Sequence, residues 1–292
     1  MSSFAIVLVI ISTFGHVTWN LLARRQRSEG AFFMRMLLLI IITGFLPAVI
    51  SEIVTCSLPI RAWFYLVGSG LCCGTYFFSL ARAYSLTDFT IVYPVARALP
   101  IVLVAFGDVI RGRALTGLGW LGLVFVVMGC LLSPLTSIRQ FNFNRYCNRS
   151  MAWIILTALA IMGYSLFDKA ASEIVLPGPG TAARYGYMFF LIAGLVFFIL
   201  RWLTNSDKKE HKHIGWLWPV LAAFCNFGSY WLVLWAYQLS QHAVYVVAFR
   251  QFGIVIGVIV AFIAYKERGF FVRTVGAVLI TAGLVIVGLF GN

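Results

Sequence analysis

The chain has 292 residues, of which 62% are hydrophobic, 16% aromatic and 11% charged, and its formal net charge is +13. A soluble domain is about 25% charged, so this composition excludes a water-soluble globule, and the apolar content excludes a disordered chain. What remains is a polytopic membrane protein whose basic excess serves topology and anionic lipid headgroups; no nucleic-acid partner is expected.

A spanning helix needs about 20 apolar residues, and ten apolar segments predict ten such helices. The first, 4–22, has no basic stretch before it and no A-x-A site after it, which reads as a retained span and not a cleaved signal. It carries Gly15-His16-Val17-Thr18-Trp19-Asn20, with His16 and Asn20 four apart on one face. After Arg24-Arg25-Gln26-Arg27 come the second segment, 32–50, with Arg35, and the third, 62–84, with Tyr76. The fourth, 89–110, holds Tyr93, Pro94, Arg97 and Pro100 and ends near Asp108. The fifth, 115–133, contains Gly119, Gly122 and Gly129 and stops before Pro134. The sixth, 151–171, carries Gly163, Tyr164 and Asp168. Pro177-Gly178-Pro179-Gly180 breaks the chain before the seventh, 183–203, and the polar run Asn205–His213 separates it from the eighth, 216–237. The short link around Leu239–Gln241 predicts an antiparallel hairpin with the ninth, 242–264, which holds Tyr245, Arg250, Gly253 and Gly257. The tenth, 271–290, has Gly276 and Gly283.

The two halves resemble each other. Cys72, Ala83-Tyr84, Leu86 and Arg97 recur at one common offset as Cys225, Ala236-Tyr237, Leu239 and Arg250. Gly15 pairs with Gly163 and Arg35 with Arg184 at slightly shorter offsets, and Gly122 and Gly129 with Gly276 and Gly283 at a slightly longer one. Chance matching between two hydrophobic halves competes with this reading for Gly and Cys, less so for arginine, which is rare inside a span. The expected fold is therefore an all-α membrane protein of ten transmembrane helices in two five-helix repeats, residues 1–140 and 150–292. An odd number of helices per half inverts the second half, a plan typical of secondary transporters with a midplane site. Basic residues crowd the first, third, fifth, seventh and ninth connections, which the positive-inside rule makes cytoplasmic, with both termini outside.

Arg97 and Arg250 carry most of the functional information. Each lies well inside an apolar run, where an arginine costs about 2.5–3.5 kcal/mol on insertion scales. All 9 acidic residues fall in loops or near predicted helix ends. Asp88 and Asp108 stand about 13 and 16 Å along the helix from Arg97, beyond pairing. A guanidinium fork suits phosphate or carboxylate, so a transported anion would complete the charge balance. The alternative is that both arginines bond backbone carbonyls or hydroxyls, or snorkel along a wet cavity.

Tyr93 and Tyr245 lie about one turn from an arginine and are candidate anion ligands, with packing or interfacial anchoring as the other reading. Trp19 joins His16 and Asn20 in a polar strip that Tyr164 and Asp168 repeat in the second half. Asp168 is the most plausible protonatable group, against a plain helix-end residue beside Lys169. Pro94 and Pro100 bracket Arg97 and predict a kink; Gly253 and Gly257 stand in the matching stretch. The 6 cysteines include no C-x-x-C and read as packing residues. Glu210-His211-Lys212-His213 reads as a solvated loop and not a metal site, and Asn148-Arg149-Ser150 as an unused glycosylation triplet. With no Walker A loop, H-E-x-x-H or G-x-S-x-G, neither a cofactor nor an enzymatic activity is expected.

These residues resemble the drug/metabolite transporter superfamily, specifically its EamA type, over essentially the whole chain. The family tends to place an acidic turn and then a Gly-rich helix after helices four and nine. Gly107-Asp108 before Gly119, and Lys266-Glu267-Arg268 before Gly276, match that pattern, with aspartate in place of the commoner glutamate. Gly15–Asn20 is similar to a His-Ala-x-Trp-Asn pattern in a subgroup with members associated with phosphonate utilisation. The resemblance implies a multi-pass permease of the bacterial inner membrane, and it places both termini in the cytoplasm, against the charge count. The expected function is a secondary transporter moving a small organic anion by alternating access: a phosphonate or phosphate ester first, a carboxylate second. Alternatives are an amino-acid or metabolite exporter and a flippase for a lipid-linked anion. Membrane lipid is the expected surrounding partner, and the sequence leaves room for a homodimer.

Overall fold

The computed structural model describes residues 2–25, 29–86, 89–133, 135, 149–204, 215–265 and 270–291. Among them every regular element is a helix: α1 Ser3–Arg25, α2 Glu29–Thr55, α3 Ile60–Leu86, α4 Phe89–Ile110, α5 Gly117–Leu132, α6 Arg149–Ser172, α7 Pro179–Leu203, α8 Leu217–Gln238, α9 Ala243–Phe249, α10 Phe252–Tyr265 and α11 Phe270–Phe290. The run Glu210–His213, Asn148 of the glycosylation triplet and the turn Lys266–Arg268 lie outside the described residues, as does the side chain of Tyr93. Among the described residues seven helices, α1, α2, α3, α6, α7, α8 and α11, contain stretches long and apolar enough to cross a membrane. Their outer faces carry exposed Ile42, Leu46, Phe64, Phe224 and Leu289, side chains that hydrocarbon solvates and water does not.

Local chemistry sets the helix ends. The Thr116 hydroxyl accepts the Gly119 N–H at 2.9 Å, capping α5, and donates to the Phe290 carbonyl at 2.8 Å, which fixes the end of α11 beside it. Pro179 opens α7 after Gly178, whose φ of 143° only glycine adopts freely.

Packing follows the paired glycines. A Cβ at Gly15 of α1 would stand 3.0 Å from the Cys225 carbonyl oxygen of α8, and one at Gly163 of α6 would stand 2.6 Å from the Cys72 sulfur of α3. Thus α1 lies on α8 as α6 lies on α3, each through a glycine against a cysteine of the matching pair. Helices α5 and α11 meet through Gly122 against Gly283 and Gly129 against Gly276, close enough that backbone touches backbone. Cys56, Cys72, Cys73, Cys130 and Cys225 carry free thiols.

Helix α4 is continuous through Pro94 and Pro100. The predicted ninth helix instead divides at Arg250-Gln251, where no proline stands. There the ladder tightens to i→i+3 bonds: Gln251 N–H to Ala248 O at 2.9 Å and Ile254 N–H to Gln251 O at 2.8 Å. The Val247 carbonyl is taken by the Gln251 side-chain amide at 3.1 Å. The side chain thus replaces a backbone donor, and the break is stabilised from within.

Candidate functional site

A small central cavity of about 40 Å³ lies between the helices. Four helices, together with α9 and the α9–α10 break, form its walls. His16 and Asn20 come from α1, Tyr76 from α3, Arg97 from α4, Thr157 and Tyr164 from α6, and Arg250 and Gln251 from the break. These positions lie at mid-helix or toward the end of the bundle where α1 and α3 finish.

His16 is the hinge of the arrangement. Its Nε2 lies 3.0 Å from Arg97 Nη2, and its Nδ1 lies 3.4 Å from Arg250 Nη2 and 3.2 Å from the indole Nε1 of Trp19. The two arginines, remote in sequence, thus flank one imidazole. Guanidinium and indole nitrogens only donate, a neutral imidazole accepts at one nitrogen, and a protonated one accepts at none. Three donors therefore converge on a ring with at most one acceptor, and any tautomer leaves N–H facing N–H. The imidazole alone therefore cannot accept from all three, and anionic oxygens are acceptors of the kind guanidinium donors suit.

Arg250 is held on its other flank by aromatics. Its guanidinium lies 5.6 Å from the centroid of the Tyr230 ring. Among the described residues no carboxylate forms an ion pair with it. The Tyr230 ring is itself stacked on Phe189 at 4.7 Å.

Of the expected site residues, His16, Asn20, Arg97, Tyr164 and Arg250 come together around the cavity. Trp19 does not line it. It is fully buried behind His16, packed edge-on to Phe33 at 6.0 Å, and acts on the site through its bond to the imidazole. Tyr245 stands apart as well: its hydroxyl donates to the Gly291 carbonyl near the end of α11. Five residues turn a helix by about 140°, so Tyr245 points away from the face of Arg250. Asp168 is buried one turn beyond Tyr164, outside the cavity lining, and accepts hydrogen bonds from Ser69, Tyr185 and Tyr230. Its neighbour Lys169 diverges to the Tyr237 carbonyl at 3.1 Å and to Glu173 at 3.2 Å. Gln251, Thr157, Ser69 and Tyr185 were absent from the expected set. A glutamine beside an intramembrane arginine was the one readable signal among them.

Beyond Asp168 the bundle is closed by charge pairs between its halves. Glu173, after α6, accepts Arg111 at 2.9 Å and Arg113 at 3.4 Å from the α4–α5 link. Asp108 of α4 accepts the Val244 N–H at 2.8 Å and so caps α9. His242, in the α8–α9 link, has its pKa pushed below the ordinary value, first by burial and then by nearby cations that include Arg113 and Lys169.

Comparison with known proteins agrees with this architecture. Residues 148–289 match the EamA-like transporter family. An uncharacterized transporter in the cobO 3' region of a Sinorhizobium species is 33% identical over 76 residues, 26% of this chain and 54% of that protein. The chain therefore matches about half the length of that curated relative. A solved crystal structure superposes with a TM-score of 0.71 over 100% of this chain and 98% of its own, at 16% identity, a likeness of fold alone. The chain is a multi-pass membrane protein whose residues 148–289 are similar to the EamA-like transporter family.

Proposed function

We propose that the protein is a secondary transporter for a small organic anion, with Arg97 and Arg250 as its anion ligands. The observation that carries this is the donor surplus at His16: two guanidinium groups and an indole meet one imidazole. A phosphonate or phosphate ester offers three acceptor oxygens to such a site and is the first choice; a carboxylate is the second. The EamA match over residues 148–289 and the cavity between the helices favour transport over catalysis.

The whole chain is read as ten spans in two inverted five-helix halves. The reciprocal packing of α1 on α8 and α6 on α3, through Gly15–Cys225 and Gly163–Cys72, supports that reading. So does the arginine-bearing break at α9–α10, the kind of discontinuous helix on which transporter sites are built. The halves would rock about the cavity in alternating access. Charge bias makes the end toward which the cavity lies cytoplasmic, in what would be a bacterial inner membrane.

The test is a ligand stability screen on detergent-purified protein with ethylphosphonate, glycerol phosphate and lactate. A ligand that binds only the native state raises stability by about 2.7 kcal/mol at a hundredfold excess over Kd. One or more of the three should raise the apparent Tm of the wild type and leave Arg97→Ala and Arg250→Ala unmoved. Stabilisation that persists in both variants, or no stabilisation of the wild type, refutes the assignment.

A further inference from the structure

We infer that Asp168 is a proton-accepting site coupled to anion binding at Arg250, so that the anion enters together with a proton. The inference rests on the anion reading above, and its test separates the two.

Asp168 is 1% exposed, in the middle of the bundle. One carboxylate oxygen accepts the Ser69 and Tyr185 hydroxyls, and the other accepts Tyr230. Three donated hydrogen bonds from three helices describe the anionic form. Yet no lysine or arginine forms an ion pair with it among the described residues. The adjacent ammonium of Lys169 is turned to the Tyr237 carbonyl and Glu173. The positive charge that acts on Asp168 is that of Arg250, which is stacked on Tyr230. That ring lies under the Arg250 guanidinium, at 5.6 Å from its centroid, and its hydroxyl donates to the carboxylate. Among the described residues, the other titratable groups facing Asp168 are the thiols of Cys72 and Cys73 from α3 and the phenol of Tyr237 from α8. Asp108 of α4 faces α9 instead.

Arg250 thus has a resident anion on one side, behind Tyr230, and the cavity on the other. An incoming anion at the cavity face neutralises the field that supports the Asp168 carboxylate, and like charges oppose each other across the same guanidinium. The relief is a proton: one H⁺, supplied by the acid form of the buffer, adds to a carboxylate oxygen of Asp168, forming the O–H bond of a neutral acid. It leaves again when the anion departs. Linkage makes the effect reciprocal, so a protonated Asp168 binds the anion more tightly.

The experiment is calorimetry of ethylphosphonate binding in two buffers of different ionisation enthalpy, which counts protons taken up per ligand. Ethylphosphonate's own ionisation is common to all forms of the protein, so the difference between them isolates Asp168. Wild type should take up to one more proton per ligand than Asp168→Asn. On acidification the wild-type affinity should rise more steeply than that of Asp168→Asn, the two diverging by as much as about tenfold per pH unit. Tyr230→Phe removes one donor to the carboxylate, so its proton uptake should persist with a midpoint at higher pH. Equal proton counts in wild type and Asp168→Asn, with binding intact, overturn the inference and leave the anion site standing. If Asp168→Asn does not fold, an unshifted Tyr230→Phe curve overturns it. No binding of ethylphosphonate, glycerol phosphate or lactate to the wild type overturns the anion site and this inference together.

Discussion

The α5–α11 seam makes the most quantitative demand on the sequence. At Gly129 an added Cβ would fall 2.5 Å from the Gly276 carbonyl oxygen and 2.8 Å from the Ile280 nitrogen. At Gly283 it would fall 2.9 Å from the Val126 nitrogen and closer still to the Gly122 carbonyl. A carbon rests against a carbonyl oxygen at about 3.3–3.6 Å, so either methyl must push the helices apart by about 0.8 Å or more. Both obstacles are backbone and cannot rotate aside. A gap of that size forfeits about a quarter to a half of each contact along the seam, and overpacking of this kind costs about 1–3 kcal/mol. Gly228 of α8 and Gly257 of α10 have nothing within 4 Å of the same position. There the change to alanine keeps only its gain in helix propensity, about 1 kcal/mol. Thermal unfolding of purified protein should therefore place Gly129→Ala and Gly283→Ala below Gly228→Ala and Gly257→Ala by about 1–3 kcal/mol, a drop of several degrees in apparent Tm. Seam variants as stable as the controls would show that the two helices do not meet through these glycines.

Arg250→Lys keeps the charge but loses the planar fork, so anion affinity should fall by about tenfold or more without loss of folding; equal affinity would argue against a bidentate contact. His242 titrates below its unfolded value of about 6.5. Its neutral form therefore contributes stability above that pH, and the contribution is lost as pH falls through the lower folded value. His242→Gln should flatten the acid limb of the Tm–pH curve, and an unchanged limb would exclude this residue as its source. The Glu173 pairs with Arg111 and Arg113 are partly exposed and open to screening. Wild-type Tm should fall with added salt more than that of Glu173→Gln; parallel curves would mean that these pairs do not latch the closed end.

Much of the architecture was legible in the residues. Arginine is so costly in hydrocarbon that Arg97 and Arg250 stand out in the sequence, and Gly15 and Gly163, paired there, each pack against a cysteine, Cys225 and Cys72. The helix break was not legible, because sequence reasoning looks to proline for it. Pro94 and Pro100 sit in an intact α4, while the break at Arg250 is held by the Gln251 amide on the Val247 carbonyl, a contact with no sequence signature. Tyr245 stands five residues from Arg250, and its hydroxyl donates to the Gly291 carbonyl. Asp168 looked like a helix end beside Lys169, and only the fold shows that the two neighbours part, one into a cage of hydroxyls and the other toward Glu173.

The central claim is that Arg97 and Arg250 receive a cargo anion, and flux tests it most directly. In proteoliposomes the wild type should carry at least one of ethylphosphonate, glycerol phosphate and lactate with saturable kinetics. Arg97→Ala and Arg250→Ala, inserted at equal density, should carry none of them. Saturable flux at wild-type rates through both variants would contradict the account.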